Sequence, residues 1–232
     1  YVSGQMLTED YYVANTLMKG FIGSANIDPN ARHCMASAVA GHRRAFGADT
    51  VPCSYEDLEE ADLVVLVGSN LAWCHPVLYQ RIEAAKRARP GMRVVVIDPR
   101  RTASCDLADL HLAIRPGSDA LLFTALLAYL QASGSIAYEY VASHTEGLEA
   151  ALAAAGAWDL ARASEALGIA PEALQTFCDW FAATERTITF YSQGINQSAT
   201  GTDKCNAIIN CHLATGRIGR EGMGPFSITG QP

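Results

Sequence analysis

No apolar run in this 232-residue chain approaches the roughly 18 residues that a membrane-spanning helix needs. The start carries no export signal. Basic residues are few: 17 Lys and Arg stand against 24 Asp and Glu, giving a formal net charge of −7. That balance argues against a nucleic-acid surface, which needs clustered cations. It also means that an anionic substrate needs a local positive route, because the overall field opposes it. CxxC pairs are missing. The seven cysteines, Cys34, Cys53, Cys74, Cys105, Cys178, Cys205 and Cys211, are odd in number and scattered. Such spacing fits neither a disulfide framework, a zinc ribbon nor an iron–sulfur run, and reduced cytosolic thiols suit it best. Internal repeats, low-complexity linkers and a GxGxxG fingerprint are also absent.

What is present is apolar and alternating. Half of the chain is hydrophobic, enough for a sizeable core. The pattern predicts helices over 8–20, 35–46, 55–61, 76–89, 118–131 and 203–215, with several more pieces across 137–185. Strands are predicted over 63–67, 93–97, 110–114 and 187–191. Residues 63–67 read Leu-Val-Val-Leu-Val, continuous and β-branched, as strands buried on both faces do. Gly20, Gly47 and Gly216 suit helix ends, and Pro171 suits a first helical turn. From Gly216 onward the glycine-rich tail reads as loop. Strands alternating with helices give an α/β class, a parallel sheet flanked by helices.

Ligands in such sheets collect at strand carboxyl ends, and four segments there carry chemistry. Gly68-Ser69-Asn70 follows the first strand; glycine admits a close phosphate, and the polar pair supplies hydrogen bonds. Trp73, His75 and Pro76 come next. Asp98-Pro99-Arg100-Arg101 offers a carboxylate for a ribose or guanine edge and a planar fork for phosphate. Arg115, Gly117, Ser118 and Asp119 close the third strand and open an apolar helix. Ser192-Gln193-Gly194-Ile195-Asn196-Gln197 follows the fourth. Each has an ordinary reading as a turn, a cap or a solvated loop.

Cys34 stands apart. It lies in Arg32-His33-Cys34-Met35-Ala36-Ser37, at the expected start of a helix and behind two basic side chains, both of which favour thiolate. A thiolate is a soft ligand for a metal. The plain alternative is a buried cysteine acting as a small hydrophobe.

The words around Cys34 decide between these readings. Residues 20–47 resemble the molybdenum-ligand segment of the molybdopterin oxidoreductases. Among them the chain is most similar to assimilatory nitrate reductases, and the likeness runs from Tyr1-Val2-Ser3-Gly4 to Phe226-Ser227-Ile228-Thr229. The resemblance implies that Cys34 binds molybdenum, with Met35 lining the pocket and Asp49 near the metal as a proton relay. It implies a molybdenum bis(molybdopterin guanine dinucleotide) cofactor gripped by Gly68, Ser69, Asn70, His75, Asp98, Pro99, Arg100, Arg115, Gly117, Asp119, Ser192, Gln193, Gly194, Asn196 and Gln197. Gly4 and Gln5 are implied near the other pterin dinucleotide.

Function, by the same resemblance, is reduction of nitrate to nitrite by oxygen-atom transfer. A 4Fe-4S cluster is expected upstream of Tyr1, which makes this chain a fragment that is inactive alone. Ferredoxin, flavodoxin or an NADH-linked reductase subunit is the expected electron donor. The family pattern also implies two dinucleotide-binding-like domains, one inserted in the other: 1–33 host, 34–191 inserted, 192–232 host again. Periplasmic nitrate reductases carry an arginine after the Asn-Gln pair, whereas this chain reads Ser198-Ala199-Thr200. That departure points to the cytoplasmic, assimilatory branch and leaves Lys204 as the substitute cation for guiding the anion. A formate dehydrogenase of the same superfamily and a non-catalytic molybdopterin-fold electron-transfer subunit are the alternatives.

Overall fold

A computed structural model describes residues 1–4, 6–29 and 34–228. Five parallel strands form one sheet in the order β3-β2-β1-β4-β5. They are β1 (Leu63–Val67), β2 (Arg93–Ile97), β3 (Leu110–Leu112), β4 (Thr187–Tyr191) and β5 (Gly224–Ser227). Helices α1 (Thr8–Asn15), α2 (Ala36–Phe46) and α3 (Asp57–Glu60) precede β1. Between β1 and β2 come α4 (Leu71–Cys74) and α5 (Pro76–Ala88). The long crossover from β3 to β4 holds α6 (Asp119–Ala132), α7 (Tyr138–His144), α8 (Leu148–Ala155), α9 (Leu160–Leu167) and α10 (Pro171–Ala183). After β4 come α11 (Gln193–Asn196) and α12 (Gly201–Ala214).

The continuous apolar run of β1 has its explanation in two covered faces. Leu63, Val65 and Val67 point into one core, with Phe123 and Leu126 of α6, Phe177 and Phe181 of α10, and Ile208 of α12. Val64 and Leu66 point into the other, with Leu78 and Ile82 of α5 and Phe190 of β4. Every β1 side chain is fully buried, and each such aliphatic group stabilises the fold by about 1.5–3 kcal/mol.

Three expectations need correction. The first helix does not stop at Gly20: it widens into a π-helical segment, Thr16–Ile22, and ends at Gly23 in the left-handed conformation (φ +75°). The third strand stops at Leu112, not at residue 114. The tail after Gly216 is not all loop, since Gly224-Pro225-Phe226-Ser227 pairs with β4 as the edge strand. A proline lacks the N–H of a central strand but is tolerated at an edge, so this segment carries little strand signal. One consequence concerns domain layout. Strand β5 and α12 fall in the segment 192–232, yet both build the sheet domain, α12 packing on α2 and α6.

Candidate functional site

All five strands point the same way, so their carboxyl ends share one edge. From β1 the chain crosses to β2 and β3 on one side, while β4 and β5 lie on the other. The switch therefore falls between β1 and β4, where open α/β sheets leave a crevice for ligands. Two glycines meet there. The Gly194 N–H donates to the Gly68 carbonyl at 2.9 Å. A Cβ on Gly194 would lie 2.5 Å from Gly68 Cα, and Gly68 itself has φ +54°. The turns after β1 and β4 touch only because neither residue has a side chain.

Cys34 is brought to this same point. Its Sγ accepts a hydrogen bond from Gln193 Nε2 at 2.7 Å, and Gln197 Nε2 lies 4.0 Å away. The sulfur thus faces the turn after β4, beside the switch, and not an aliphatic core. Met35 follows as the N-terminal flanking residue of α2. The basic pair Arg32 and His33 lies outside the described residues. Among the other thiols, burial pushes Cys178 and Cys205 up to about 12 and raises Cys53 and Cys211 as well, which keeps them protonated and unreactive.

Ser69, just after Gly68, and Thr102, past the end of β2, present buried hydroxyls with no hydrogen-bond partner among the described residues, an arrangement that costs free energy unless a ligand satisfies it. Asn70 Oδ1 accepts from Ser104 Oγ at 3.2 Å, and Ser104 Oγ accepts from the Ala72 N–H at 3.0 Å. Ser192 and Asn196 are buried, while Gly194 and Gln197 are exposed. His75 is buried with its ring edge on Phe190, centroids 5.7 Å apart.

One strand further out, Asp98 Oδ1 accepts from the Arg100 N–H at 2.8 Å, so its carboxylate shapes its own turn; Pro99 and Arg100 are exposed. At the end of β3, Arg115 leans on the C-terminus of α9 and donates to the Ala166 carbonyl at 3.2 Å. Gly117 is exposed beside it, with φ +89°.

Two residues are engaged elsewhere. Lys204 Nζ and Asp119 Oδ2 form a buried ion pair at 2.6 Å, their side chains 3% and 12% exposed. The cation expected to guide an anion and the carboxylate expected to hold guanine neutralise each other between α12 and the start of α6. Asp49 is half exposed, and its described neighbour is His42, with Nδ1 to Oδ1 3.8 Å, rather than Cys34. Gly4 belongs to the N-terminal arm, where Val2 bridges Pro29; Gln5 lies outside the described residues. His42, Tyr191 and Cys205 are polar groups at the site that pattern reading passed over. A signal existed for His42, which sits one turn after Ala38 on the buried face of α2, where the apolar period calls for a hydrophobe.

Among the described residues, no group of three or more His, Cys, Asp or Glu side chains is close enough to cage a metal ion. A metal at Cys34 would therefore take most of its ligands from a cofactor. One soft sulfur beside two glycines in mutual contact, with a buried Ser69 hydroxyl unpartnered among the described residues, fits such a group.

The comparisons agree with that chemistry. The molybdopterin oxidoreductase family model matches residues 1–230, and the chain belongs to that family. Over its whole length it is 61% identical to a nitrate reductase of Klebsiella oxytoca, of which it covers 26%. It is 38% identical to a periplasmic nitrate reductase of Desulfovibrio desulfuricans, covering 32% of that protein. Acetylene hydratase from Pelobacter acetylenicus shares the fold, with a TM-score of 0.70 at 22% identity over 88% of this chain and 27% of that one. The chain thus spans about a quarter to a third of the relatives it matches. Family membership implies a molybdenum–pterin cofactor, and Cys34 with the β1 and β4 turns would hold it.

Proposed function

We propose that the protein containing this chain reduces nitrate to nitrite. The observation that carries this reading is the position of the Cys34 sulfur at the β1–β4 switch, beside the touching glycines. The similarity to nitrate reductases along the whole chain supports it.

Bound at this edge, the cofactor would supply the redox couple for removing one oxygen from nitrate. Two electrons and two protons then balance the cycle, leaving nitrite and water. The chain's own residues do the holding. Cys34 would give the metal its protein sulfur, with Met35 beside it at the start of α2. Gly68 and Gly194 let backbone approach the pterin, with Ser69 and Thr102 as hydroxyl partners. Asp98, Arg100, Arg115 and Gly117 lie at the next two strand ends, placed to meet the polar tail of a guanine dinucleotide. Asp49, beside His42, is the carboxylate suited to proton delivery.

In the same reading, a 4Fe-4S cluster and residues beyond this chain complete the enzyme, so the isolated chain is inactive. Residues 1–33 belong to a host domain around the sheet domain. An electron donor such as ferredoxin, flavodoxin or an NADH-linked subunit supplies the reducing equivalents, in the cytoplasm. The test is an assay of the full-length protein with nitrate and with formate. Nitrite formation supports the proposal; formate oxidation without nitrate reduction contradicts it.

A further inference from the structure

The Gln193 amide has a fixed sense. Its Nε2 points at the Cys34 sulfur, and its Oε1 accepts from Asn196 Nδ2 at 3.4 Å. Asn196 is held in turn, because its Oδ1 accepts from Cys205 Sγ at 3.5 Å. The Tyr191 hydroxyl bears on the Cys205 thiol and holds its pKa down against burial, Ser227 acting on the same hydroxyl, and Tyr191 Oη lies 3.0 Å from His42 Nε2. Asn196, Cys205, Tyr191 and His42 are all at most 4% exposed.

Proton positions follow from this order. If Cys205 donates to Asn196, Tyr191 donates to Cys205 and the His42 Nε2–H donates to Tyr191. The imidazole is then neutral, which agrees with burial lowering the pKa of His42 against the opposing pull of Asp49; its Nδ1 faces the Asp49 carboxylate at 3.8 Å and has no hydrogen-bond partner among the described residues. Every donor along the thread points toward Cys34. Buried polar groups are costly unless satisfied, and an apolar filling would pack as well. A connected, one-directional thread that ends on a sulfur therefore has a use at that sulfur.

We propose that His42, Tyr191, Cys205 and Asn196 are positioning residues that fix the Gln193 amide on Cys34, so that a buried thread running back into α2 sets how strongly the sulfur donates to the metal. This rests on the reading of Cys34 as the metal ligand. A hydrogen bond to a ligating sulfur withdraws electron density from it and stabilises the reduced metal. Because the thread acts only through Gln193, its members are not independent.

The experiment is a spectroscopically monitored redox titration of molybdenum in the full-length protein, with metal content measured alongside. Gln193→Met keeps the length of the side chain and removes the donor; its midpoint potential should fall. Tyr191→Phe is nearly isosteric; its potential should fall in the same direction, by less. The double variant should match Gln193→Met alone. Wild-type potential in either single variant, or additive shifts in the double, would overturn the proposal. If Gln193→Met does not load metal, Tyr191→Phe alone decides by the same criterion. Cys34→Ala separates the two readings. Unchanged metal content and potential there would defeat the ligand assignment itself; a change there with silent thread variants would defeat the thread alone.

Discussion

Lys204 shows what a single residue's surroundings change. Position and charge make it a plausible guide for an anion, but its ammonium is buried against Asp119. No pattern in the sequence links two positions so far apart, so the pair was not legible there. Removing one partner strands the other charge in the interior, which typically costs about 3–5 kcal/mol, whereas replacing both with apolar groups is often near neutral. Lys204→Met should therefore lower stability by about that amount, and Lys204→Met with Asp119→Leu should recover most of it, as read from urea unfolding midpoints. The switch-point glycines behave differently. Their positions after strands were legible, because small residues at strand ends are a known signal; their mutual contact was not. Gly194→Ala would drive a Cβ to 2.5 Å from Gly68 Cα. It should part the β1 and β4 turns and reduce the molybdenum content of the full-length protein with little loss of secondary structure by circular dichroism.

Elements were legible in proportion to their burial. Strand β1 announces itself as an unbroken apolar run, and β2 and β4 as β-branched and aromatic ones, because helices cover both faces of the sheet. Strand β5 did not, since an edge strand tolerates Gly and Pro and carries little β-branched bulk. The end of the first helix was misplaced because widening into a π-helical segment absorbs Gly20 and transfers the stop to Gly23. Helix α9 shows how an element supports the site. Asp159 caps it by accepting from the Arg162 N–H at 2.8 Å, and its last turn receives the Arg115 guanidinium. Asp159→Ala should cost about 1 kcal/mol in denaturant unfolding, while Asp159→Asn should cost less.

For the molecule as a whole, buried histidines set an acid limit. Burial lowers the pKa of His42 and lowers that of His212 well below the ordinary value, Arg217 adding to the latter. Both are neutral when folded but take up protons when unfolded below about pH 6.5. The unfolded state then binds more protons, so stability falls as pH drops, by about 1.4 kcal/mol per pH unit for each residue until its folded pKa is reached. Melting temperatures should be flat from pH 8 to 7 and fall below pH 6.5, and His212→Gln should make that fall shallower. The partnership of Cys34 with the turn after β4 was legible only through family likeness, since it joins segments far apart in the chain. The most direct measurement is molybdenum content and X-ray absorption of the full-length protein, wild type against Cys34→Ala. One fewer sulfur in the metal's shell, or loss of the metal from a folded variant, is the predicted result. An unchanged sulfur count at full metal occupancy would contradict the account.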